Sequence, residues 1–107
     1  MSYILRKLDN FNRKHLYNQY FIDMNGETYS FIVRWSDYCQ CAFLNILDSE
    51  DNPIVSGKAL TNHLKIRNNK IPHILYFVNI YGNSYEPTID NIAKEFGFLF
   101  NDEELVQ

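Results

Sequence analysis

The chain has 107 residues and a mass of 12.7 kDa, the size of one domain. Hydrophobic residues make up 46% of it and aromatic residues 16%, which excludes a mostly disordered chain, and 4 Gly with 3 Pro exclude a collagen-like or linker composition. The net charge of −3 argues against a general nucleic-acid binder, whose domain would be strongly basic.

Residues 1–15 are polar and basic with scattered apolar positions (Tyr3, Ile4, Leu5, Leu8, Phe11) and read as an N-terminal arm, with room for a short strand and for ordering by a partner. Arg6 and Lys7 are followed by no apolar stretch, so no secretory signal is expected, and no apolar run is long enough for a membrane helix. Asn25-Gly26 then separates two runs of strand character, Leu16–Met24 and Glu27–Trp35. This dipeptide favours positive φ at both central positions, the requirement of a two-residue hairpin turn. The turn sets Met24 opposite Glu27 and, residue by residue, Tyr17 opposite Arg34. In that register one face carries Tyr20, Ile22, Met24, Tyr29, Phe31, Val33 and Trp35, and the other is mostly polar. Turn chemistry and period-two patterning therefore agree.

After a loop at Ser36–Gln40, Cys41–Asp48 alternates as a strand, and Asp48–Pro53 is a dense turn signal. Ile54–Leu60 reads as a strand with a bulge at Gly57. Thr61–Lys70 is polar and basic, with at most one helical turn anchored by Leu64 and Ile66. His73–Tyr81 is apolar at both parities, so a central strand covered on both faces is expected. Thr88 is placed to cap a short helix whose face is Ile89, Ile92, Ala93 and Phe96, with Gly97 as its stop. Phe98–Phe100 is a last short strand. The expected fold is mainly β: an antiparallel β-sandwich or small barrel of about six strands with one short C-terminal helix. Residues 16–101 form the single domain, between the arm at 1–15 and an acidic tail at 102–107.

Charge is unevenly spread. Lys58, Lys65, Arg67 and Lys70 occur without an acid among them, whereas Glu86–Gln107 holds six acids against Lys94 alone. Such polarity suits docking between unlike surfaces, although solvated edges give the same pattern.

No catalytic motif is present, and the three histidines (His15, His63, His73) lie in no recognised constellation. Cys39 and Cys41 are too close for a paired zinc knuckle and have no second pair, so buried or half-buried free thiols are expected and no metal or cofactor. Asp48, Glu50 and Asp51 crowd one loop but lack calcium-loop spacing. Strand aromatics beside a basic loop suggest an OB-like single-stranded nucleic-acid module, against which most of those aromatics fall on the core face.

Tyr17-Asn18-Gln19-Tyr20-Phe21, then Asn25-Gly26-Glu27-Thr28-Tyr29 running into Val33-Arg34-Trp35, resembles the opening hairpin of the phage baseplate plug family of contractile-tailed phages. Leu44–Asp48, Asp51–Gly57 and Glu86–Ile92 follow the same pattern in order, so the resemblance runs over Leu16–Phe100. Asn68–Pro72 departs from it in lacking a glycine. The resemblance implies a structural part at the centre of a tail baseplate, made in the host cytoplasm and meeting hub, spike, tail tube or wedge proteins, with no catalytic residues to carry over. Lys65, Arg67 and Lys70 are the expected partner contacts. A small phage-encoded inhibitor of a host protein is a further alternative.

Overall fold

A computed structural model describes residues 3–105, with side chains through residue 101. Eight strands are found among the described residues: β1 (Tyr3–Lys7), β2 (Tyr17–Met24), β3 (Glu27–Ser36), β4 (Cys41–Leu47), β5 (Pro53–Ala59), β6 (Leu64–Ile66), β7 (His73–Asn79) and β8 (Phe96–Leu105). One short helix, α1 (Ile92–Glu95), precedes β8. They form two four-stranded antiparallel sheets, ordered β2-β3-β4-β5 and β1-β8-β7-β6. The sheets are not closed into a barrel, so of the two expected architectures the sandwich is the one formed.

The hairpin follows its turn. Asn25 and Gly26 take φ of 53° and 82°, and every pair from Tyr17↔Arg34 to Met24↔Glu27 is in the expected register. The Trp35 N–H extends the ladder by donating to the Leu16 carbonyl at 2.8 Å. All seven residues of the apolar face are buried. At Gly57 (φ 64°) the β4–β5 register shifts nearby, and the Gly57 N–H donates to Asn45 Oδ1 at 2.6 Å, which makes the expected bulge a fixed feature.

The core is aromatic. Phe31 of the first sheet meets Phe98 of the second edge-on at 5.2 Å, and Phe77 stacks on Phe96 at 5.5 Å. Such edge and offset contacts add to the area these rings remove from water.

The structure corrects the sequence reading in several places. The described part of residues 1–15 holds the short strand that the arm reading allowed, and it is tied to the rest of the fold. Tyr3–Lys7 pairs with β8, and Leu8 and Phe11 lie in the core. The Tyr20 hydroxyl donates to the Asp9 carbonyl at 2.9 Å, and the Asn18 amide donates to the Asn10 carbonyl at 2.9 Å. Burial pushes the Tyr20 phenol up to about 12, so it remains a donor at neutral pH. The Thr61–Lys70 segment holds a strand, β6, where a helical turn was expected. Three residues are too few to show a period, and pairing with β7 decides the conformation. The helix starts later than Thr88. A turn comes first, in which Thr88 Oγ1 accepts from the Asn91 N–H at 3.3 Å, and Gly97 belongs to β8 and does not stop the helix. Strand β8 also continues through Leu105, into the stretch read as an acidic tail; its acidic side chains lie outside the described ones.

Candidate partner interface

Lys65 sits on β6, an edge strand, between the inward-facing Leu64 and Ile66, and is exposed. Arg67 follows it and is exposed too. No ion pair holds either one among the described residues. Lys70 is placed differently. Its turn is closed by Asn68, whose Oδ1 accepts from the Lys70 N–H at 2.9 Å. The Lys70 carbonyl accepts from the Tyr29 hydroxyl at 3.4 Å. The Lys70 charge is close enough to help hold the Asp48 carboxyl below its ordinary range. Lys65 and Arg67 thus carry no ion pair among the described residues, and the influence of Lys70 on Asp48 is the least of the causes that lower that pKa.

That acid is occupied by its own loop. Asp48 Oδ1 accepts from the N–H groups of Asn52 and Glu50, each at 2.9 Å, and the Asn52 bond is the main cause of its lowered pKa. Asp48, Glu50 and Asp51 thus build a turn. No group of three or more His, Cys, Asp or Glu side chains is disposed to hold a metal among the described residues. Cys39 lies in the turn before β4 and is exposed, contrary to the expected burial; Cys41 is half-buried, and both thiols are free. His73 is buried with its ring stacked on Phe100 at 5.4 Å, and His15 and His63 are exposed.

Of the strand aromatics, Tyr20, Tyr29, Phe31 and Trp35 are buried between the sheets and offer no stacking platform, whereas Tyr17 and Phe21 are exposed on β2. A cleft of about 510 Å³ lies between residues 10–14 and the α1 region. Across its lining, Arg13 and Asp90 make a two-pronged ion pair, both contacts 2.8 Å, which lowers the Asp90 pKa and raises that of Arg13. Both partners are fully exposed, so the pair orients the segment more than it stabilises the fold.

The loop after β7 is fixed by a polar network that sequence reading missed. The Asn62 amide donates to the carbonyls of Asn83 and Tyr85 at 2.8 and 2.9 Å, and Asn79 Oδ1 accepts from the Tyr81 N–H at 2.9 Å. Glu95 Oε1 accepts from the Tyr85 hydroxyl and, at 3.2 Å, from the Asn83 amide. The Tyr85 bond is the main reason that Glu95 sits below its ordinary 4.5. A lowered carboxylate pKa stabilises the fold above the unfolded value and ceases to do so as pH falls through the folded one. Amide protection in residues 80–86 is therefore expected to be full at neutral pH and to drop as pH falls below 4.5. Glu95→Gln should show weaker protection with no such transition, as read by hydrogen exchange corrected for intrinsic rates.

The molecule is thus a small two-sheet sandwich whose polar groups largely fix its turns and loops. The chain belongs to the baseplate plug family: the profile described as cyanophage baseplate Pam3 plug gp18 matches residues 7–103. It is accordingly a structural protein of the phage baseplate, located in the virion tail and acting among other baseplate components. No curated protein and no solved structure matches the chain.

Proposed function

We propose that the protein is a non-catalytic plug at the centre of a contractile-tail baseplate, where hub, spike and tube meet. In this reading it is made in the host cytoplasm and joins the particle through surface complementarity. The observation that carries the reading is the family match over residues 7–103, which takes in six of the eight described strands whole, the end of β1 and β8 as far as residue 103. Lys65, Arg67 and Lys70 are the proposed contacts to an acidic groove on a partner. The exposure of all three supports the reading, and Lys65 and Arg67 have no ion pair among the described residues.

The test is charge reversal. Lys65→Glu with Arg67→Glu is expected to leave thermal stability nearly unchanged, since exposed substitutions usually shift it by about 0.5 kcal/mol or less. Incorporation of the variant into baseplates in a plug-deficient infection should fall, and the loss should shrink at high salt. Normal incorporation of a stably folded variant would contradict the electrostatic contact.

A further inference from the structure

The two sheets differ in what they show outward. On the outer face of β2-β3-β4-β5, Gln19, Ser30 and Asn45 interrupt the apolar positions. The outer face of β1-β8-β7-β6 is more continuous. Its pairings place Leu5, Leu99, Tyr76 and Lys65 in one row across all four strands, and Lys7, Gly97 and Val78 in the next. Leu5 is 44% exposed, and Leu99, Tyr76 and Val78 are half-buried. These are the outward positions of β7 and its neighbours, the side expected from sequence to be covered. Ile74, the next outward position of β7, is buried, so the face is open at the Leu5, Tyr76 and Leu99 row and closed beyond it; α1 contacts β8, and the cluster it joins is the inner core.

The charge in these two rows has one sign. Lys7 stands on the β1 edge and Lys65 on the β6 edge, with the apolar row between them. No carboxylate occurs in either row. The two edges are three strand spacings apart, roughly 14 Å at about 4.8 Å each. A contiguous apolar patch rimmed by polar groups is the usual anatomy of a docking surface. Lysines on exposed edges also discourage strand-to-strand pairing, which directs a partner to the face and away from the edge.

We infer that the outer face of β1-β8-β7-β6 is a docking surface, and that its occupant is an apolar patch flanked by carboxylates on a different baseplate protein. This inference rests on the plug reading and adds to it the surface and the chemistry of its partner. Lys65 then works as the rim of an apolar contact whose centre is Leu99 and Tyr76.

Complementation of a plug-deficient phage tests it. Leu5→Glu and Tyr76→Glu would put carboxylates into the face, and Phe21→Glu, 61% exposed on the other sheet, is the control. Leu5→Glu carries the test alone should Tyr76→Glu fail to melt cooperatively, because Leu5 is already exposed on an edge strand. Copies per particle are expected to fall roughly tenfold or more for the face variants and to stay at the wild-type level for Phe21→Glu. Zero-length carbodiimide coupling of purified wild-type particles should join Lys65 or Lys7 to an Asp or Glu of another protein. Wild-type incorporation of the folded face variants would overturn the inference. So would coupling of both lysines only to a second copy of this chain, or dimers of the purified protein that Leu5→Glu dissociates. Absence of the wild-type protein from baseplates would instead overturn the plug reading beneath it.

Discussion

Replacing Phe31 with alanine is expected to cost about 3–5 kcal/mol, the range for removing a large aromatic side chain from a core that relaxes only in part. Phe31 has no exposed surface, lies on β3 between β2 and β4, and meets Phe98 of the opposite sheet edge-on. Its loss removes apolar area and the ring contact that ties the two sheets together. A domain of this size has a total stability of about 5–15 kcal/mol, so the variant should be close to unfolding at ambient temperature. The urea midpoint should fall sharply with the slope unchanged. Phe21→Ala, ten residues earlier on the outward side of β2, should shift it by about 0.5 kcal/mol or less. Similar midpoints for the two variants would contradict the assignment of inner and outer faces.

The second large effect is expected at Gly97. A Cβ there would stand 2.9 Å from the Arg6 carbonyl oxygen and 2.9 Å from Leu5 Cδ1. The oxygen is backbone and cannot rotate away, so a side chain must push β1 off β8. Gly97→Val should cost about 1–3 kcal/mol, as overpacking does. The damage should be local first, with amide protection lost in Tyr3–Lys7 before the rest of the sheet. Full protection of β1 in this variant would contradict the close approach.

The first sheet was largely legible in the sequence because each of its signals is local. Asn25-Gly26 fixes the turn, alternation fixes the face, and the Asp48–Pro53 cluster fixes the next reversal. The second sheet was less legible because its edges depend on distant partners. Tyr3–Lys7 has no alternation of its own and becomes a strand by pairing with Gly97–Asn101, at the far end of the chain. Leu64–Ile66 is too short to carry a period. The apolar character of His73–Tyr81 at both parities was visible, but pattern alone could not show that the outward side of β7 is buried at Ile74 and only half-buried at Tyr76 and Val78.

The candidate surface divides in the same way. Lys65 and Arg67 were legible as a basic run, and their exposure agrees with that reading. That Leu5, Leu99 and Tyr76 form a row beside Lys65 follows from strand pairing that no local spacing encodes. The Asn62, Asn79 and Glu95 network was likewise hidden, since its members lie on separate elements and are joined only by the fold.

Deleting the gene and imaging the particles by electron microscopy tests the structural role most directly. The account predicts that heads and DNA replication are normal while complete baseplates and tails are missing, and that supplying the protein in trans restores them. Intact, contractile tails in the deletion strain would contradict it.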